Sequence, residues 1–159
     1  MKPWRKDIGP GNLFLNLVVN YLNEYSTQDT PTAPFRDSVG TLDQGGQFEY
    51  RIFANLTYSA GDWSVGTRLR HLPSADDQSA VQNPATGIIG VDSYSLVDVF
   101  GSYRINDQLN LRAGIDNLFD PDPEVVGENP GFTNAISTTN AGFYDILGRR
   151  YWLGINFGF

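Results

Sequence analysis

The sequence predicts an all-β fold: an antiparallel transmembrane β-barrel segment of about six strands, with one face apolar and the other wet. Three observations carry this. Six stretches alternate apolar and polar residues with a period of two, the signature of a strand with one greasy face. The connections between them run long, short, long, short, long. The outward aromatics fall at two levels with aliphatic residues between. Composition agrees, since an aromatic share of 13% accompanies a mean hydropathy of only -0.31, as suits strands that show lipid on one side and water on the other. No window approaches the roughly 18 consecutive apolar residues of a membrane helix. With no cysteine and a net charge of -7, a disulfide framework is excluded and nucleic acid is not expected as a partner.

The chain opens on basic Met1-Lys2-Pro3-Trp4-Arg5-Lys6 without an apolar run behind it, so no signal peptide is expected here. Gly9-Pro10-Gly11 marks a turn. The first strand, 12–24, sets Leu13, Leu15, Leu17, Val19 and Tyr21 against Asn16, Asn20 and Glu24. A polar loop rich in Thr, Pro, Asp and Gly follows over 26–46. The second strand, 47–59, has Phe48, Tyr50, Ile52, Ala54, Leu56 and Tyr58 on its greasy face, and Ala60-Gly61-Asp62 supplies a hairpin turn. The third, 63–72, points Trp63, Val65, Thr67 and Leu69 outward. After the loop 73–90 comes a fourth strand, 93–104, with Val97, Val99 and Tyr103 outward; its polar face also carries Leu96 and Phe100, so its alternation is imperfect. Ile105-Asn106-Asp107 turns into the fifth strand, 108–118, with Leu109, Leu111, Ala113 and Ile115 outward. The longest loop spans 119–147. The closing strand, 148–159, alternates Tyr151, Leu153, Ile155, Phe157 and Phe159 with Arg150, Trp152, Gly154, Asn156 and Gly158.

Short turns on one side and long loops on the other match outer-membrane barrels, whose periplasmic turns are short and whose extracellular loops are long. Outward aromatics at the short-turn level are Tyr58, Trp63, Tyr103, Phe157 and Phe159; at the loop level they are Tyr21, Phe48, Tyr50, Phe119 and Tyr151. Two aromatic girdles around an aliphatic belt are expected of a wall in a bilayer. Two rival readings stay open at this stage. One is a porin-like or structural outer-membrane protein that closes its barrel by oligomerising. The other is a soluble β-sandwich that binds sugars, which leaves the loop alternation unexplained.

Six strands fall short of the smallest bacterial barrels, which have about eight. Open edges in hydrocarbon leave amides that lipid cannot satisfy. The expectation is the C-terminal wedge of a larger barrel, with the free edge of its last strand paired to a strand outside this sequence.

Gly114-Ile115-Asp116-Asn117-Leu118-Phe119-Asp120, followed by Pro121 and Pro123, resembles the NLFD…P signature of TonB-dependent outer-membrane receptors. Tyr144-Asp145-Ile146-Leu147-Gly148-Arg149-Arg150-Tyr151 and the terminal Phe159 resemble the last strand of that family. Leu96-Val97-Asp98, Tyr103-Arg104 and Asn20-Tyr21-Leu22 fit it too, so the resemblance runs from about Lys6 onward. It implies a plugged barrel of about 22 strands in the outer membrane of a Gram-negative bacterium. It also implies uptake of a ferric siderophore, haem, vitamin B12 or an oligosaccharide, driven through the plug by the inner-membrane TonB complex. Residues 1–159 would then be the C-terminal barrel segment, lacking plug, TonB box and signal peptide, and not competent for transport alone. Gly154, Phe157 and Phe159 resemble the family's signal to the barrel-assembly machinery; Trp152 stands where that signal usually has a polar residue.

The polar faces gather the charges Glu49, Arg51, Arg68, Arg70, Asp98, Arg104, Arg112, Asp116 and Arg150. In a full receptor these would line the lumen, pairing across strands and, as a further role, touching the plug. No catalytic or metal site is expected. His71 is the only histidine, no Gly-x-Ser-x-Gly elbow surrounds a serine, and Asp120, Asp122 and Glu124 read as a solvated loop start rather than a calcium site. No cofactor is expected. Ligand contacts are expected in the loops 26–46, 73–91 and 119–147, which carry Phe35, Phe132 and Phe143; nothing in them singles out one substrate.

Overall fold

The computed structural model describes residues 4–42, 47–77, 90–124, 139 and 141–158. Seven strands build one antiparallel sheet: β1 (Trp4–Ile8), β2 (Gly11–Tyr21), β5 (Tyr50–Ala60), β6 (Trp63–Leu72), β9 (Tyr94–Arg104), β10 (Leu109–Asp116) and β11 (Arg150–Phe157). They lie side by side in chain order, and each pairs with its sequence neighbours in the sheet. Four short strands in the loops form two small ribbons: β3 (Ser26–Thr27) with β4 (Arg36–Asp37), and β7 (Ala75–Asp76) with β8 (Gly90–Val91).

The six strands expected from periodicity are all present, and a seventh precedes them. β1 turns into β2 through Gly9, whose φ of 57° suits a residue without Cβ. Trp4 pairs with Leu15 and Ile8 with Gly11. Its Trp-Arg-Lys-Asp-Ile run is too short and too charged for a periodicity argument; only pairing to β2 makes it a strand.

The register lines apolar residues into continuous rows. Leu15, Leu56, Thr67, Val99, Ile115 and Tyr151 face one another across β2, β5, β6, β9, β10 and β11. A register slip of one residue in any strand would break every row, because the side-chain period is two. This face is left open: Leu17, Val19, Leu153 and Ile155 are all exposed. In water so large an apolar surface would be an association site; in a bilayer it is a wall. At the short-turn end Tyr58 and Trp63 pack with ring centroids 5.4 Å apart, and Trp63 lies opposite Tyr103. At the other end Tyr21 pairs with Tyr50. Phe48 departs from the expected outer girdle. It is 3% exposed, packed edge-on against Phe143 at 5.1 Å, because the segment before β5 has left the sheet's alternation.

The opposite face explains the broken pattern of β9. Phe100 lies over Gly66, where a methyl group would stand 2.6 Å from Phe100 Cζ. Trp152 covers Gly114 in the same way, an arrangement that shields the backbone of a glycine in a strand. Leu96 is 5% exposed and belongs to a small core with Leu42, Phe48, Ala75, Val91, Tyr94 and Tyr144. The chain's buried core therefore sits at the long-loop end, beneath the loops rather than inside the sheet.

The loops are tied to one another. The Leu42 amide donates to the Asp76 carbonyl at 2.9 Å, and the Asp76 amide donates to the Gly40 carbonyl at 2.8 Å, joining the first long loop to the second. The third loop returns Phe143 and Tyr144 onto the same core; Tyr144 meets Tyr94 edge-on at 5.0 Å. Phe35 remains 72% exposed. Phe143, expected as an exposed loop aromatic, is half-buried instead, and Phe132 lies outside the described residues.

Candidate functional site on the polar face

Asp98 is the pivot of the polar face. It is 2% exposed and faces Arg68 across the β6–β9 ladder. Arg70 donates to both its oxygens at 3.2 and 3.3 Å, and Arg68 reaches Oδ2 at 3.5 Å. Both arginines stay half-exposed. The Asn117 amide closes the carboxylate's set with a 3.0 Å bond to Oδ1. A carboxylate this deep is tolerated because it is paired and fully hydrogen-bonded.

From Asn117 the network runs into the longest loop. Asn117 is buried and holds φ at 55°, a conformation asparagine tolerates better than most residues. Its Oδ1 accepts from the Asp120 amide at 3.1 Å, a local turn typical of asparagine. Asp120 Oδ1 in turn accepts from the Arg149 amide at 2.9 Å, beside Gly148 with φ 71°. Arg150 Nη1 grips Asp145 at 2.9 and 3.0 Å and also donates to the Gly148 carbonyl. Hydrogen bonding from Arg150 holds the Asp145 carboxyl below the usual carboxylate range, against an opposing effect of burial. The Asp145 amide donates to Tyr94 Oη at 3.3 Å. The two C-terminal motifs thus clasp each other and pin both ends of the loop to the sheet.

Most of the expected lumen charges are engaged in this way. Asp116 accepts from Trp152 Nε1 at 3.3 Å. Arg112 reaches Asn156 at 3.4 Å. Arg104 bonds Asp62 of the β5–β6 turn at 2.8 Å. Glu49, ahead of β5, accepts from Tyr21 Oη at 3.5 Å and so leans toward the apolar edge. Arg51 lies over the rings of both Phe48 and Phe143, at 5.4 and 5.6 Å from their centroids. His71 stacks on Tyr50 and bonds Ser95. Asp120 Oδ1 is an acceptor for the Arg149 amide. Of the terminal signal residues, Gly154 lies opposite Arg112 and Phe157 opposite Leu109; Phe159 lies outside the described residues.

Between the sheet and the returning loop lies a groove of about 300 Å³, lined by Asn20, Arg51, Phe53, Arg70, Tyr94 and Phe143 among others. Sequence reasoning placed Arg51 and Arg70 on this face but missed the groove. Its aromatic side comes from Phe53 and Tyr94, which occupy polar-face positions, and from a loop without period.

The sequence family described as TonB dependent receptor-like, beta-barrel, matches residues 4–118. The vitamin B12 transporter BtuB of Vibrio cholerae serotype O1 is 32% identical over 100 residues, covering 62% of this chain and 16% of the relative. The vitamin B12 transporter BtuB of Photobacterium profundum is 32% identical over 68 residues, 43% of this chain and 10% of its own length. The chain therefore spans about a sixth or less of the curated relatives it matches. Among solved structures, a mutant form of the ferric enterobactin receptor PfeA from Pseudomonas aeruginosa superposes with a TM-score of 0.55 at 17% identity, over 99% of this chain and 21% of that one. That likeness is one of fold.

Proposed function

This chain belongs to the family of TonB-dependent receptor-like β-barrels, and from that premise we propose that it forms one wall of an outer-membrane nutrient-uptake receptor in a Gram-negative bacterium. The observation that carries the reading is the division of the sheet. Its apolar face is exposed along β2, β5, β6 and β11, while its polar face is roofed at one end by three interlocked long loops. A wall built this way meets lipid on one side and a water-filled, ligand-accessible lumen on the other.

Among the described residues, the sheet's outer strands β1 and β11 each have a single neighbour. In hydrocarbon such edges need partners, and the remaining strands of the receptor barrel supply them. The half-exposed Arg68, Arg70 and Arg150 then face a plug, through which the inner-membrane TonB complex drives transport. Gly154, Phe157 and Phe159 present the terminal strand to the barrel-assembly machinery by β-augmentation. The cargo is a scarce nutrient: a ferric siderophore, haem, vitamin B12 or an oligosaccharide. The chain itself carries no catalytic step.

The test is growth. A strain deleted for the encoding gene is supplied with each of the four nutrient classes at limiting concentration, with and without a functional TonB. One class should fail to support growth in the deletion strain and in the TonB-deficient strain alike. Growth unaffected across the panel, or rescue without TonB, would remove the uptake reading.

A further inference from the structure

Charge is almost absent from the apolar face of the sheet. Among the described residues of its seven strands, Lys6 of β1 is the single Asp, Glu, Lys or Arg on the same face as Leu13, Tyr58 and Val65. Its neighbours Arg5 and Asp7 lie on the polar face, opposite Phe14 and Asn12. The register places Lys6 there, since a slip of one residue would exchange it with them. Lys6 is exposed, and among the described residues it has no hydrogen-bond or ion-pair partner. An ammonium on a lipid-facing wall needs a counter-charge or water.

The depth of Lys6 decides what it can reach. Lys6 stands opposite Leu13, and Leu13 opposite Tyr58, in one cross-strand row. One row nearer the short turns come Ile8, Trp63 and Tyr103, the level of the aromatic girdle. Successive rows are roughly 7 Å apart along a strand, a span that a lysine stem covers by snorkelling. The ammonium thus reaches the level of the lipid phosphates, where a lipid-facing lysine costs little. Tyr58 lies over Gly11, where a Cβ would stand 2.7 Å from the ring's Cζ, and it donates to the Ile8 carbonyl at 3.0 Å. That bond fixes a ring beside the β1–β2 turn. Toward the middle of the bilayer, Trp4 and Leu17 are exposed on the same face, an apolar track for an acyl chain.

Resting on the outer-membrane reading above, we propose that Lys6 binds the phosphate of an anionic phospholipid in the periplasmic leaflet, with Tyr58 walling the headgroup and Trp4 lying along the acyl chain. A lysine at this level attracts a net negative headgroup, whereas a zwitterionic lipid brings its own ammonium to compete for the phosphate. The net charge of -7 disfavours anionic lipid elsewhere on the chain, so the preference should be local to Lys6.

The experiment reconstitutes the complete receptor in phosphatidylcholine vesicles doped with brominated phosphatidylglycerol or brominated phosphatidylcholine, and reads quenching of a single tryptophan. One receptor keeps Trp4, two residues from Lys6 on its face; the other keeps Trp63, three strands and roughly 14 Å away. At Trp4 the brominated phosphatidylglycerol should associate about fivefold more strongly than the phosphatidylcholine; at Trp63 the two should be equal. Lys6→Gln should abolish the preference at Trp4, and Lys6→Arg should keep it. Heat-modifiable migration on gels confirms that each variant is folded. Equal quenching by both lipids at Trp4 overturns the proposal and leaves the wall facing lipid, as when a carboxylate of an adjoining strand takes Lys6. So does a preference that survives in folded Lys6→Gln receptor. Absence of quenching at both tryptophans would remove the lipid-facing reading itself.

Discussion

The backbone amide of Asn117 donates to the buried carboxylate of Asp98 at 3.0 Å, joining the start of the longest loop to the middle of the neighbouring strand. Because Asp98 also holds Arg68 and Arg70, one side chain organises both the polar face and the loop base. Asp98→Ala should destabilise the barrel by about 1–3 kcal/mol, less than a fully buried pair because both arginines keep half their contact with water. Urea unfolding of the complete receptor from lipid vesicles measures it. No change in midpoint would mean that the arginines find water an equal partner.

Asn117 separates backbone from side chain. Asn117→Gly keeps the left-handed conformation and loses the bond to the Asp120 amide, costing about 1 kcal/mol. Asn117→Val must also be forced into φ near 55° and should cost about 1–3 kcal/mol more. The same unfolding assay ranks them. Equal losses would show that the turn can relax.

Gly114 and Trp152 form a second pair. A methyl at Gly114 would meet Trp152 Cε2 at 2.6 Å, so Gly114→Ala should swing the indole away and break its bond to Asp116. In a receptor whose other tryptophans are replaced by phenylalanine, Trp152 emission should move to longer wavelength, with a loss of about 1–3 kcal/mol. Unaltered emission would mean that the ring slides without leaving.

The two faces should respond oppositely to charge. Leu153 is 73% exposed on the apolar face, and Leu153→Arg should cost about 2–4 kcal/mol in a bilayer. Asn12, on the polar face opposite Asp7, should accept Asn12→Lys within about 0.5 kcal/mol. Similar costs at both positions would contradict the assignment of lipid to the apolar face.

The Tyr144 hydroxyl, in the third loop, is pushed up to about 12, by burial first and then by the nearby Glu124 and Tyr94. Because the folded value lies above the ordinary one of 10, the neutral phenol favours the fold. That contribution is complete below pH 10 and is lost as pH rises through about 12. Phenolate absorbance should show a late component that Tyr144→Phe diminishes, and the variant should resist alkaline loosening of the loop better than the parent. A full tyrosine titration finished near pH 10 would refute this.

Alternation with period two is a local property, so the sequence by itself determined the six main strands, their apolar faces, the sorting of loops by length and the family. Strand three, 63–72, is found with those same bounds in β6. What it could not determine was anything set by partners distant in the chain. β1 is a strand only because β2 lies beside it. Leu96, Phe100 and Phe48 violate the pattern until Gly66 and the third loop are brought beneath or above them. The candidate site was legible as a set of polar-face charges, but which of them pair depends on cross-strand register, and the groove depends on where a loop without period comes to rest. Registers and loop returns are fixed by many weak contacts acting together, and only the folded sheet sums them.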